Sequence, residues 1–215
     1  MRSARLLKTA LASGVMLVGL GAGAAQAATT FTGFTDGCFG LACVPPTTIP
    51  PQSATIGGLT YLDSVFSVTD AGGFAAIGNA PGTPNTDNLG SFTLSGTPFT
   101  YTGGSFVLRM TFTAPPGTAP ATLTYTAALN GIVSAVDGGG VFLDFDNSPK
   151  HLTFTGGSFD VVVNDVSMTA GNVVPLTGQI VSVVTGVPEP ETYAMMLAGL
   201  GLMGFVVRRR GKTAA

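Results

Sequence analysis

The chain contains no tryptophan, one histidine and two cysteines among its 215 residues, and only 9% of it is charged. A metal centre needs more ligands than Cys38, Cys43 and a distant His151 supply. The lone histidine also leaves no nucleophile–base pair in view, and no G-x-S-x-G element is present. Without tryptophan, and without another platform on which sugars stack, a glycosidase is disfavoured. Cationic side chains are almost missing from the middle of the chain. Of nine Lys and Arg, only Arg109 and Lys150 lie between the two ends, whereas all nine Asp lie there and neither Glu does. Two cations against nine anions give this region a net charge of −7 with His151 neutral. Phosphate neutralisation requires Lys and Arg, so nucleic acid is excluded as a partner.

Glycine (31), phenylalanine (14) and threonine are abundant. That composition suits an extracellular β-protein better than a helical enzyme. No central segment has a helical period. Alternation of period two runs through Leu59–Tyr61, Val65–Val68, Phe92–Leu94, Phe99–Tyr101, Phe106–Phe112, Leu123–Tyr125, Val141–Phe145, Leu152–Phe154, Phe159–Val163 and Ile180–Val184. Many short strands separated by Gly, Pro and Asn predict an all-β fold, an antiparallel β-sandwich of jelly-roll or Ig-like type. Residues 56–186 are expected to form this domain. Residues 28–55, broken by Pro45-Pro46 and Pro50-Pro51, are expected to be an irregular N-terminal arm. Thr100-Tyr101-Thr102-Gly103-Gly104-Ser105-Phe106 recurs as Thr153-Phe154-Thr155-Gly156-Gly157-Ser158-Phe159. Both copies read as hairpins with a Gly-Gly connection.

The two ends read as targeting segments. Arg2, Arg5 and Lys8 precede an apolar stretch, Leu11–Gly23, and then Ala25-Gln26-Ala27. This is the layout of a signal peptide over 1–27, with cleavage specified by Ala25 and Ala27. Residues 187–215 begin with Pro188-Glu189-Pro190, continue through an uncharged Ala-, Leu-, Met- and Gly-rich run at 192–207, and end in Arg208-Arg209-Arg210. The run is expected to be a transmembrane helix, although it falls short of the ~20 residues that cross a bilayer core. The arginines act as its stop-transfer signal on the cytoplasmic side. This tripartite tail resembles the PEP-CTERM sorting signals of Gram-negative bacteria. The resemblance covers the tail alone. It implies recognition by an exosortase, a membrane-embedded transpeptidase-like enzyme, with cleavage near the Pro-Glu-Pro box. The chain would sit in the membrane through its C-terminal helix before processing, and would then reach the envelope, the cell surface or the extracellular matrix.

Between these ends the candidate sites are few. Cys38 and Cys43 enclose four residues, and in an oxidising compartment they read as a small disulfide loop. Asp144, Asp146 and Asn147 place hard oxygen ligands before a turn, a candidate Ca2+ site that lacks the Gly and Glu of an EF-hand. The same residues are ordinary turn formers before Pro149. Asp160 and Asp165 are further carboxylates. Gly199-Leu200-Gly201-Leu202-Met203-Gly204 fits a nucleotide fingerprint in letters but has no strand before it. Thr-x-Thr pairs at 100/102, 111/113, 122/124/126 and 153/155 place hydroxyls on common strand faces. Such arrays occur on ice-binding surfaces, and some exported ice-binding proteins carry similar tails.

The expected role is that of a non-enzymatic structural or adhesive protein in exopolysaccharide or biofilm, without a cofactor unless Ca2+ binds, and with exosortase and exopolysaccharide as partners. The alternatives are a Ca2+-assisted carbohydrate-binding module, a secreted hydrolase and an ice-binding protein.

Overall fold

The computed structural model describes residues 28–47, 50–78, 87–185 and 190–211, with helical side chains described over 195–205. The signal peptide expected at 1–27 lies outside the described residues. Fifteen strands are found among the described residues: β1 (Thr30–Phe39), β2 (Ser53–Ile56), β3 (Leu59–Leu62), β4 (Val65–Thr69), β5 (Ala75–Ile77), β6 (Ser91–Leu94), β7 (Phe99–Thr100), β8 (Gly104–Ala114), β9 (Thr122–Ser134), β10 (Gly138–Phe145), β11 (Lys150–Phe154), β12 (Gly157–Val163), β13 (Val166–Thr169), β14 (Val173–Pro175) and β15 (Gly178–Thr185). One helix follows, α1 (Pro190–Gly211). The fold is all-β and antiparallel, as the alternating pattern predicts.

The largest sheet has seven strands in the order β13-β10-β9-β8-β1-β4, with β7 added to β9. Two four-stranded sheets, β11-β12-β15-β5 and β14-β6-β3-β2, pack against its inner face. Phenylalanine rings make the contact. Phe31 of β1 lies 4.7 Å from Phe159 of β12, and Phe112 of β8 lies 5.3 Å from the same ring. Phe106 of β8 meets Tyr61 of β3 at 4.9 Å and Phe92 of β6 at 5.0 Å. Buried residues of all three sheets form one core, so the second layer is split while the interior is continuous.

Residues 28–55 differ from the expected irregular arm. They contain three of the four residues of β2 and all ten residues of β1, which pairs along its length with β8 and with β4. The inward row of β1 is Phe31, Gly33, Thr35, Gly37 and Phe39, too poor in apolar residues to read as a core strand. The glycines are there for space, not for turning. A Cβ on Gly33 would stand 2.6 Å from Cζ of Phe66, and one on Gly37 would stand 2.4 Å from Cζ of Phe106. Rings from neighbouring strands fill the volume that side chains of β1 leave open.

The two Gly-Gly repeats also part company. Thr153–Phe159 forms a hairpin, with Phe154 opposite Gly157 across a Thr155-Gly156 connection. In the earlier copy β7 does not pair with β8. It crosses to β9, with Phe99 opposite Val133. The reason is length: β9 runs past the end of its register with β8 at Leu129, and β7 takes the edge left over.

The helix expected at 192–207 is present as α1. Its described apolar side chains, from Met195 to Phe205, are all exposed. Among the described residues no helix is long and apolar enough to cross a membrane. Gly199, Gly201 and Gly204 dilute the apolar surface of this one. The G-x-G-x-x-G letters fall inside this helix, away from any strand–turn–helix setting.

Candidate functional site

The most constrained polar group sits on the outer face of the large sheet. Asp36 of β1 and Arg109 of β8 are cross-strand partners. Arg109 donates from its Nη2 to Asp36 Oδ2 at 2.8 Å and from its Nη1 to the Pro45 carbonyl at 2.8 Å. Asp36 is 1% exposed, although an outward strand position would ordinarily be wet. The segment after β1 provides the cover. Cys38 and Cys43 are disulfide-bonded with Cα atoms 6.0 Å apart. Gly40 N–H donates to the Ser105 carbonyl and Cys43 N–H to the Gly40 carbonyl. The chain thereby returns as a strap that sets Pro45 on the guanidinium. Arg109 alternates with the apolar Leu108 and Met110, and nothing in the sequence pairs it with Asp36.

In the chain-entropy picture, a loop this short contributes about 2 kcal/mol. Cys43→Ser should therefore keep the fold and lose roughly that much, measured as a fall in denaturation midpoint with unchanged cooperativity. A loss of the whole cooperative transition would mean that the strap supports the core rather than covering it.

Beneath the strap is a cavity of about 170 Å3, lined by Gly37, Cys38, Pro46, Gln52, Tyr61 and Asp63 among others. Asp63 is 2% exposed. Its Oδ1 accepts the Gln52 N–H at 2.5 Å, and its Oδ2 has no partner among the described residues. Burial raises its pKa, because the charged form loses water that the backbone hydrogen bonds to its carboxylate do not replace. Tyr61 donates to the Leu89 carbonyl at 2.7 Å, and its Oη stands 2.9 Å from Thr35 Oγ1. Burial pushes its phenol pKa up, and Asp63 and Asp36 add to the shift.

The acidic end of β10 closes a turn. Asp144 is exposed on the strand. Asp146 Oδ1 accepts the Ser148 N–H at 3.1 Å, a turn closure that, with the Ser148 side chain, lowers its pKa. Asn147 turns towards Asp165, whose Oδ1 accepts the Phe145 N–H at 2.8 Å. Among the described residues no group of three or more His, Cys, Asp or Glu side chains is placed to hold a metal ion. His151 Nδ1 lies 2.7 Å from Asp160 Oδ1 across the β11–β12 pair, at an exposed position. Lys150, the other central cation, stands over the Tyr125 ring at 4.7 Å.

Threonines dominate the rest of the outer face. Thr111 is opposite Thr122, Thr124 opposite Arg109 and Thr126 opposite Val107. Thr32 and Thr113 hydroxyls are 2.9 Å apart, and Thr30 and Thr69 hydroxyls 3.0 Å. The hydroxyls thus bond across strands, and the strap over Arg109 interrupts the row. Thr153 lies in a different sheet.

At the C-terminus, Pro188 and Glu189 lie outside the described residues. Pro190 opens α1, where its missing N–H is harmless and its fixed φ suits a first turn. Arg208, Arg209 and Arg210 close the same helix. No curated protein and no solved structure matches the chain. Residues 186–210 match the family model for the PEP-CTERM protein-sorting motif. The chain thus carries the PEP-CTERM sorting signal of an exosortase-processed protein exported to the surface of a Gram-negative cell.

Proposed function

We propose that the exported domain is a structural or adhesive component of an extracellular polysaccharide matrix, held there without catalysis. The sorting motif at 186–210 is the observation that carries this reading, because it directs the β-domain out of the cell. The domain suits such a setting. Its broad outer face is rich in hydroxyls and poor in charge, as a surface exchanging hydrogen bonds with hydrated sugars would be. In this reading α1 retains the precursor at the inner membrane until cleavage, with its exposed apolar side chains between Met195 and Phe205 in lipid and Arg208–Arg210 on the cytoplasmic side.

One fractionation experiment tests sorting and retention together. Wild type should be found truncated near Pro190 in the matrix fraction, whereas replacing Pro188-Glu189-Pro190 by alanines should leave a full-length inner-membrane species. In cells unable to make exopolysaccharide, the processed protein should pass into the culture fluid. Matrix retention unchanged by loss of the polysaccharide would reject the adhesive role while leaving sorting intact. Intact mass through Ala215 at the surface would reject processing.

A further inference from the structure

We propose that the outer face of β9, β10 and β13 carries a binding site for a glycan without acidic groups, with the Phe142 ring as the surface on which a pyranose lies. The site deepens the matrix reading above and rests on it. Alternation places Val141, Leu143 and Phe145 of β10 in the core, so Phe142 and Asp144 point outward between them. Phe142 is 39% exposed. Its cross-strand partners are Asn130 of β9 on one side and Ser167 of β13 on the other, both exposed. Cβ atoms of such partners stand about 4.5–5.5 Å apart. Asp144 and Gly140 follow on the same face of β10, each roughly 7 Å along the strand from Phe142. Ile132, 57% exposed, is opposite Gly140. The ring therefore stands among small and polar residues, and the strap that covers Arg109 lies on the far strands of the sheet.

A pyranose has a face of C–H bonds and a rim of hydroxyls. Its C–H face leaves water against an aromatic ring, whose negative face attracts the C–H hydrogens. The rim calls for a few polar groups that are not already engaged. Asn130 brings an amide that both donates and accepts, Ser167 a hydroxyl, and Asp144 a carboxylate that accepts from sugar hydroxyls. None of these three side chains hydrogen-bonds to another of the described residues, whereas Thr30 with Thr69 and Thr32 with Thr113 tie up their hydroxyls farther across the sheet.

Charge selects the glycan. Asp144 is the charged group on this face, and Asp137 and Asp165 are exposed at the adjoining turns. Neither central cation is available: Arg109 is held by Asp36 and the Pro45 carbonyl, and Lys150 stands over the Tyr125 ring. Uronate, sulfate or phosphate groups would meet like charge here, whereas hydroxyl and amine substituents would not. A protein partner fits less well, because Ile132 and Phe142 fall short of the contiguous apolar patch that a protein interface presents.

A binding titration tests the site. The full chain, in a detergent without a sugar headgroup, is titrated onto beads bearing cellulose, galactomannan, starch, chitosan or polygalacturonate. At least one of the four non-acidic polymers should bind it, and polygalacturonate should not. The first three polymers against chitosan separate hydroxyl from amine recognition. Phe142→Ala should weaken binding roughly tenfold, the effect of losing an aromatic stack, and should leave Tm near that of wild type. Phe142→Trp should restore binding, and Asn130→Ala should weaken it. Phe142→Ala keeps the charge of the domain, so general attraction to an amine polymer does not pass for the site. Binding that survives Phe142→Ala puts the glycan elsewhere and overturns the site while leaving the matrix role intact. Binding to polygalacturonate as tight as to the other polymers overturns the charge selection and with it the proposal. Failure of all four non-acidic polymers to bind wild type also overturns it, and the matrix role is then decided by retention in cells with and without exopolysaccharide.

Discussion

Phe106→Ala should destabilise the domain by about 3–5 kcal/mol, the cost of emptying a buried aromatic site. Phe106 is fully buried at the junction of the large sheet with the β14-β6-β3-β2 sheet. Its ring stands 5.0 Å from Phe39, 4.9 Å from Tyr61, 5.0 Å from Phe92 and 6.2 Å from Phe145. Four rings held by separate strands cannot all move inward, so the cavity persists. The inward glycine at 37 deepens the loss, because the Phe106 ring is what fills the space beside it. Calorimetry should record a drop in Tm of roughly 6–20 °C, from the 2–4 °C per kcal/mol typical of domains this size. Phe142→Ala, on the wet face of β10, serves as the control and should stay within about 0.5 kcal/mol. Equal effects of the two substitutions would show that the split layer is loosely packed.

Arg109→Met should cost about 3–5 kcal/mol as well, by a different route. The methionine fills much of the removed stem, so the loss comes from charge: Asp36 remains 1% exposed without its guanidinium. The double variant Asp36→Leu, Arg109→Met removes both charges, and apolar replacement of a buried pair is commonly neutral or favourable. Urea titrations of wild type, both single variants and the double variant should therefore give a coupling energy well above 1 kcal/mol, with the double variant more stable than Arg109→Met alone. Additive effects would mean that water reaches the pair past the strap and that its burial is only nominal.

The strands that the sequence revealed share a feature: their inward residues are large and apolar. Phe106, Leu108, Met110 and Phe112 announce β8, and Leu123 and Tyr125 announce β9, because every second residue is individually recognisable. β1 stayed hidden because its inward row includes Gly33, Thr35 and Gly37, whose fit depends on rings contributed from other strands. β7 was legible as a strand but not as a partner of β9, since pairing depends on where a neighbouring strand ends. The acidic turn was legible as two chemistries, and the hydrogen bonds of Asp146 and Asn147 favour turn closure.

The sequence by itself determined three things: the route of the protein, written in linear order at its C-terminus; the β class, written in alternation; and the shortage of cations, which is a matter of counting. These need no knowledge of which residues meet. Tertiary structure alone decided that Asp36 and Arg109 are paired and buried, that the Cys38–Cys43 strap covers them, and that Asp63 is enclosed beside Tyr61. The Arg109–Pro45 and Arg109–Asp36 contacts join residues 64 and 73 positions apart in sequence. Their energies depend on dielectric surroundings that exist only once the strands have paired.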